Sequence, residues 1–175
     1  DAWCGVPLKV DEIAVEGVVL AVQEVVEGDL IEGGGGGEGG DVAAFFVVTI
    51  GDRIATETNR LFEANAYHGY LMLHGFSVEV TDALAEYWHE VIRRELGIAK
   101  DQPHDMAGYV TQGYQGSRYG FGYPACPDLD AHEMLFELLK PGEIGVTLTE
   151  TMEMVPEVST SAIIAHHPQA KYFAV

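Results

Sequence analysis

The sequence is poor in cysteine, and its histidines are scattered. Its two cysteines, Cys4 and Cys126, are far apart and show no CxxC or Cys/His spacing, so neither a disulfide framework nor a zinc site is indicated. No HExxH motif is present, and His166 and His167 are adjacent, so their side chains would point apart on a strand. We therefore expect no metal site and, from the cysteine usage, a reducing cytoplasm.

Positive charge and long apolar runs are also scarce. Nine Lys and Arg stand against 28 Asp and Glu, which gives a formal net charge of −19 at pH 7. So acidic a surface repels phosphate groups, and we expect neither nucleic acid nor an anionic membrane as a partner. The longest largely apolar run, residues 42–50, is far shorter than the roughly 20 residues that span a bilayer. The acidic N-terminus also lacks the basic start of a signal peptide, so we expect a soluble protein.

The sequence does contain enough apolar material for one compact domain. Hydrophobic residues make up 47% of 175 residues, an ordinary size for a single core. Residues 33–40 are glycines interrupted once by glutamate, and such a run loses too much backbone entropy on folding to form a regular element. We therefore divide the chain into an N-terminal segment with a glycine-rich linker or loop, residues 1–40, and a folded domain, residues 41–175.

Hydrophobic spacing predicts three helices. Residues 52–65, with Ile54, Leu61 and Phe62 at helical intervals, and residues 68–96, with Trp88 on an apolar stripe, read as amphipathic helices. A short helix is predicted after Asp130, where Glu133 follows at the spacing of a capping box, and it should end before Pro141. Residues 100–115 are polar and read as a connection.

Period-two and apolar segments predict strands, and a turn is expected at residues 167–170. The predicted strands lie within residues 10–26, around a turn at Gly17, and at residues 42–50, 146–150, 158–166 and 171–175. Together with the helices, this predicts an α+β fold, a single domain with a mainly antiparallel sheet and packed long helices.

Residues 116–127, GSRYGFGYPACP, are the most unusual segment. Three glycines and two prolines exclude a regular helix or central strand, so a shaped loop is expected. Such a loop suits a small amphipathic ligand, because aromatics offer flat faces and Arg118 offers a fork for a carboxylate. The alternative is a structural turn whose aromatics fill the core and whose arginine pairs with an acid. Cys126 has no identifiable base nearby and is expected to fill space.

The ten residues RxxxGYPACP, from Arg118 to Pro127, resemble the S-adenosylmethionine-binding motif of the activation domain of cobalamin-dependent methionine synthases. Further segments look similar to that family in the same order: residues 135–139, 144–150, MxP at 154–156 and HPxxKY at 167–172. The resemblance covers about residues 41–175, whereas residues 1–40 match little. It implies the fold of that activation domain.

The resemblance also implies a set of cofactor-binding residues, and these are Arg118, Gly122, Tyr123, Pro124, Ala125 and Tyr172. Arg118 would hold the ligand carboxylate, Tyr123 and Tyr172 would lie against the ligand, and the other three would shape the floor. For Tyr172 the alternative is sheet packing. Relatives carry an acid for the ligand ammonium where this chain has Gln112, so the contact at the amino end departs from the pattern. Aromatic faces stabilise a cation such as the sulfonium by about 0.5–2 kcal/mol.

The function implied by the resemblance is reactivation in methionine biosynthesis. In the family, cobalamin that has oxidised to Co(II) is rescued by one-electron reduction coupled to methyl transfer from S-adenosylmethionine. This chain would be a methyltransferase module that positions the donor, with no catalytic residue and no complete activity of its own. Its partners would be a cobalamin-binding domain and a flavodoxin-like reductant. Two alternatives stay open: a free-standing S-adenosylmethionine-binding or corrinoid-reactivation module for another methyltransferase, and a structural homologue without ligand.

Overall fold

The computed structural model describes residues 19–28 and 41–172. In these segments four antiparallel strands form a sheet in the order β1-β2-β6-β3, and two short strands, β4 and β5, pair separately. The strands are β1 (Val19–Gly28), β2 (Asp41–Thr49), β3 (Ser117–Gly120), β4 (Thr147–Leu148), β5 (Met154–Val155) and β6 (Ser159–Ala165). The helices are α1 (Asp52–Glu63), α2 (Tyr67–Glu95), α3 (Met106–Val110) and α4 (Ala131–Leu139), with 3-10 turns at Ala99–Asp101 and Pro141–Ile144. The predicted α+β class with an antiparallel sheet is confirmed.

Strand β2 lies inside the sheet, and helices cover both of its faces. Phe46 and Val48 are fully buried against α2, whereas Val47 is fully buried against α4. Because neighbouring side chains of a strand point to opposite faces, a strand covered on both sides needs apolar residues at successive positions. This explains the apolar run at residues 42–50, and the strand predicted there is confirmed.

Two cores result, one on each side of the sheet. The core beneath α2 contains Ala44, Phe46, Val48, Ala85, Trp88, Ile92, Ala162 and Ile164. The core beneath α4 contains Val47, Leu135, Leu139 and Val146. Burial of a side chain such as Phe46 stabilises the fold by about 1.5–3 kcal/mol. The site described below lies along the border of the first core, so α2 and the β3–β6 pair hold it firmly.

The two long helices are confirmed close to their predicted bounds. Helix α2 runs continuously over 29 residues, carries the buried Trp88 on its inner face and ends before Gly97, whose φ of +71° suits glycine. Phe62, placed on the apolar stripe of α1, is instead 52% exposed and contacts the rings of Tyr67 and Tyr70 edge-on. Of the helices within the described segments, none is apolar over enough of its length to cross a membrane.

The predicted capping box at the start of α4 is wrong. Asp130 has helical dihedral angles (φ −64°, ψ −21°), and its side chain makes no cap hydrogen bond. A capping side chain needs an extended residue from which it can bond back to the helix. The amide of Asp130 instead donates to the side chain of Asp128 at 3.0 Å.

Three other segments differ from prediction. The connection at residues 100–115 includes the one-and-a-half-turn helix α3, whose start is capped by Asp105 accepting from the Gly108 amide at 2.8 Å. The predicted strand at 146–150 is reduced to β4. The turn at 167–170 is confirmed by an Ala170 amide bond to the His167 carbonyl at 2.9 Å, but residues 171 and 172 are not in a strand. Residues 10–18, 29–40 and 173–175, including the predicted turn at Gly17 and the glycine-rich run, lie outside the described residues.

Candidate functional site

A cavity of about 360 Å³ opens between α2, the β3–β6 pair, the 109–114 connection and the segment after β6. Small-molecule sites are commonly concave and of roughly 300–1,000 Å³. Its lining residues are Phe46, Asp82, Ala85, Glu86, Tyr109, Val110, Gln112, Tyr114, Arg118, Gly120, Tyr123, Thr160, Ala162 and Tyr172. Three residues predicted from the sequence, Arg118, Tyr123 and Tyr172, therefore meet in one place.

Arg118 reaches the cavity from strand β3. The segment expected to be a loop begins as this edge strand, with Arg118 paired to Ile164 of β6, so the loop prediction is wrong for residues 117–120. The composition misled because only one of the three glycines and neither proline falls within these four residues, which pair at the edge of the sheet. The Arg118 guanidinium donates from one amino group to Glu86 at 3.1 Å, and the Arg118 side chain is 27% exposed. The other guanidinium donors make no hydrogen bond to another described residue.

Tyr123 is held at the rim by the tight turn that follows β3. The Gly122 amide donates to the Cys126 carbonyl at 2.8 Å, and the Cys126 amide donates back to Tyr123 at 2.8 Å. Gly122 has a φ of +82°, which an L side chain rarely adopts. A Cβ on Gly120 would lie 3.0 Å from Cδ2 of Tyr123, so glycine there lets the ring approach the strand.

Pro124 and Ala125 lie within this turn, outside the residues that line the cavity, as does Gly122. Their predicted contribution to the ligand floor stays a prediction. In the structure these residues form the turn that orients Tyr123 toward the mouth of the cavity, where Tyr123 is 58% exposed.

Tyr172 borders the cavity because the segment after β6 folds back over the 112–114 turn. The Tyr172 amide donates to the Gln112 side-chain oxygen at 2.9 Å, and the Lys171 ammonium donates to the carbonyls of Gln112 and Tyr114 at 2.7 and 2.8 Å. The Tyr172 ring stacks on Tyr119 with centroids 6.4 Å apart. Gln112, where the family motif is expected to have an acid, therefore holds the segment after β6 in place through these hydrogen bonds.

Helix α2 supplies two acids that the sequence reasoning did not single out. Asp82 and Glu86 are four residues apart, so they share one helix face, and both line the cavity. Glu86 accepts from Arg118 and, at 3.1 Å, from the Tyr114 hydroxyl. Their spacing is a usable signal, but among 28 acidic residues it does not stand out.

Behind Glu86 lies the buried side chain of Arg93. Its guanidinium is 3.4 Å from the other Glu86 oxygen and 3.7 Å above the Tyr114 ring. Burial raises the pKa of Tyr114 to about 12, and the negative charge of Glu86 adds to the effect. Tyr114 therefore keeps its proton at neutral pH, and its hydroxyl donates a hydrogen bond to Glu86.

His89 is packed into the same cluster and is fully buried. Burial, followed by the positive charges of Arg93 and Arg118, lowers the pKa of His89 to about 2. The ring meets Tyr114 edge-on at 5.5 Å, and neither ring nitrogen has a hydrogen-bond partner among the described residues. His89 is thus an uncharged spacer beside two arginines.

The arrangement suits binding better than acid–base or covalent chemistry. Arg118 can take a carboxylate, Asp82 and Glu86 can face cationic groups, and tyrosine rings offer flat apolar surfaces. Within the described residues no three His, Cys, Asp or Glu side chains are grouped to hold a metal ion. Burial, with a smaller effect of Asp128, raises the pKa of Cys126, which makes it a poor nucleophile.

Comparisons with known proteins agree with this description. Residues 25–175 match the family described as "Vitamin B12 dependent methionine synthase, activation domain". The methionine synthases of Mycobacterium tuberculosis and Mycobacterium leprae are 48% and 47% identical over 141 residues, 77% of this chain and 12% of each relative. A crystal structure of the MetH reactivation domain bound to AdoHcy superimposes with a TM-score of 0.72 at 26% identity, covering 89% of this chain and 51% of that one.

Proposed function

The chain belongs to the family of vitamin B12 dependent methionine synthase activation domains, and from that premise we propose that it binds S-adenosylmethionine in the cavity beside Arg118. Bound there, the ligand would supply the methyl group for reductive methylation of cob(II)alamin. The observation that carries the proposal is the convergence of Arg118, Tyr123 and Tyr172, far apart in sequence, on one cavity. The AdoHcy of the structural neighbour, which differs from S-adenosylmethionine by the transferred methyl group, supports the ligand class.

The chemistry of the lining supports each end of this ligand. Arg118 is the only cationic side chain among the described lining residues, so it is the partner for the ligand carboxylate. Asp82 and Glu86 are the only anionic ones; because Glu86 already accepts from Arg118 and Tyr114, Asp82 is the group available to the ligand ammonium where Gln112 is neutral. Tyrosine faces at the rim can stabilise the sulfonium by about 0.5–2 kcal/mol.

In the proposed reaction this chain positions the methyl donor. The sulfonium is already an activated methyl donor, so the site needs to orient the donor methyl and exclude water rather than move a proton. Cobalamin, when bound on a partner domain, would supply the reduced cobalt that accepts the methyl group. The module would therefore act as part of a methionine synthase, a methyltransferase, and have no complete activity alone.

The partners follow from the same proposal. A cobalamin-binding domain must face the mouth of the cavity, where Tyr123 is exposed. A flavodoxin-like reductant is part of the proposal, although flavodoxins are usually acidic and a chain of charge −19 would need a local basic surface to receive one. We place this chemistry in the cytoplasm.

The test is calorimetric titration of S-adenosylmethionine into the intact chain and two matched variants. Arg118→Ala removes the carboxylate partner and should weaken binding by about 10- to 100-fold, since a hydrogen bond between charged groups contributes about 1.5–3 kcal/mol. Arg60→Ala removes an exposed arginine of α1 that pairs with Glu57 and should bind like the intact chain. An intact, folded chain that takes up no ligand at millimolar concentration would leave a structural homologue without ligand.

A further inference from the structure

We propose that Glu86 is a positioning residue of this site, which holds the Arg118 guanidinium where it can meet the ligand carboxylate; the inference rests on the proposed function. Arginine has a long side chain with much rotamer freedom, and Arg118 is 27% exposed at the cavity. Within the described residues, its guanidinium donates one hydrogen bond, to Glu86 at 3.1 Å. That bond uses one amino group and leaves the remaining donors of the fork for a ligand.

Glu86 is able to do this because it is itself fixed from the protein interior. Its Oε1 lies 3.4 Å from the guanidinium of Arg93, whose side chain is fully buried. Arg93 is in turn held by the side-chain oxygen of Gln102 at 3.0 Å and by the ring of Tyr114, 3.7 Å from its guanidinium carbon. The Tyr114 hydroxyl donates to Oε2 of Glu86, the same oxygen that accepts from Arg118.

The charges of this cluster also favour a ligand carboxylate. Two guanidinium groups, of Arg93 and Arg118, face one carboxylate, of Glu86, and His89 between them is neutral because its pKa is lowered to about 2. Glu86 is thus shared between the two arginines, and Arg118 is the one of them that is partly exposed at the cavity. Without Glu86 the two arginines would repel each other, and Arg118 would be free to turn into solvent.

The experiment compares two ligands that differ only in the group that Arg118 should recognise. S-adenosylhomocysteine carries both a carboxylate and an ammonium group. Its decarboxylated form keeps the ammonium group but lacks the carboxylate. We expect Glu86→Gln to bind S-adenosylhomocysteine about tenfold more weakly, as suits a misplaced charged hydrogen bond, and to bind the decarboxylated form as the intact chain does. In the Arg118→Ala background the same substitution should have almost no further effect, because Glu86 acts through Arg118.

Two further variants serve as controls for this experiment. Glu79→Gln makes the same change at an exposed position of α2 and should bind both ligands like the intact chain. Tyr114→Phe removes only the hydroxyl that donates to Glu86, keeps the ring beneath Arg93, and should give a smaller loss with the same dependence on the ligand carboxylate. If Glu86→Gln fails to show the thermal unfolding transition of the intact chain, Tyr114→Phe decides the question.

Each outcome separates this inference from the function on which it rests. Unchanged or tighter binding of S-adenosylhomocysteine by Glu86→Gln would mean that Glu86 competes for Arg118 or is irrelevant to it, and the positioning role would be overturned. An equal loss for both ligands would mean that Glu86 meets the ammonium directly or only shapes the cavity, which also overturns it. If the intact chain bound neither ligand, the proposed function itself would fail.

Discussion

Replacement of His89 by leucine should remove a large part of the acid sensitivity of this domain. His89 is fully buried beside Arg93 and Arg118, faces the Tyr114 ring, and finds no hydrogen-bond partner for its nitrogens among the described residues. Protonation would place a third positive charge in this cluster, against the single carboxylate of Glu86. Leucine fills a similar space and cannot be protonated.

The magnitude follows from the pKa of His89, which burial and the two arginines lower to about 2 in the folded state from a usual value of 6.5. Between these two values the unfolded chain binds one proton more than the folded chain, so the free energy of unfolding falls as the pH falls. The full slope is about 1.4 kcal/mol per pH unit. Relative to pH 8, His89 should therefore cost about 1.4 kcal/mol at pH 5.5 and about 2.7 kcal/mol at pH 4.5.

The assay is urea unfolding followed by the fluorescence of the buried Trp88, for the intact chain and the variant, at several pH values from about 8 to about 4.5. The quantity of interest is the difference between the two pH dependences, because carboxylates titrate alike in both proteins. His68→Leu, at an exposed position of the same helix, should keep the slope of the intact chain. Parallel pH profiles for the intact chain and His89→Leu would refute the reasoning, since they would mean that His89 charges freely in the folded state.

Three other predictions concern the frame of the site. His132→Ala should lower the free energy of unfolding by about 3 kcal/mol, because the buried ring bridges a carbonyl and the Ser161 hydroxyl, each at 2.8 Å; a loss below about 1 kcal/mol in urea would contradict this. Gly122→Ala should destabilise by about 1–2 kcal/mol, because φ is +82° and the new Cβ would lie 2.9 Å from Leu129; an unchanged urea midpoint would argue against the strain. Cys126, in a chain whose other cysteine, Cys4, is replaced by serine, should react with iodoacetamide more slowly when folded than in urea at pH ~8, because burial raises its pKa; equal rates would show that folding does not hinder ionisation of this thiol.

Much of the fold was predictable because its signals are local. The continuous apolar run of β2, the helical spacing of α1 and α2 and the turn at 167–170 all depend on neighbouring residues, and the structure has each of them. Two of the predictions that failed depended on distant partners, whereas the capping box at Asp130 failed although its signal is local. Residues 117–120 become a strand because β6 offers an edge, and residues 171 and 172 leave the sheet because the 112–114 turn offers hydrogen-bond acceptors.

The candidate site divides in the same way. The motif around Arg118 and Tyr123 could be read from the chain because glycines, prolines and aromatics are closely spaced there, and it identified the family before any geometry was known. Asp82, Glu86 and Tyr114 carry no comparable local signal. An acid on a helix is usually a solvated surface group, and only its neighbours in space make it part of a site.

The sequence by itself therefore determined the class of fold and the family, because these are encoded in short-range patterns, whereas the role of Arg118 toward the ligand carboxylate stays a prediction. Only the tertiary structure decided that Arg118 stands on an edge strand, that Glu86 joins it to the buried Arg93, and that His89 is kept neutral between them. The physical reason is that charge pairing and burial depend on distances between residues far apart in the chain, and those distances exist only once the sheet and α2 have packed together.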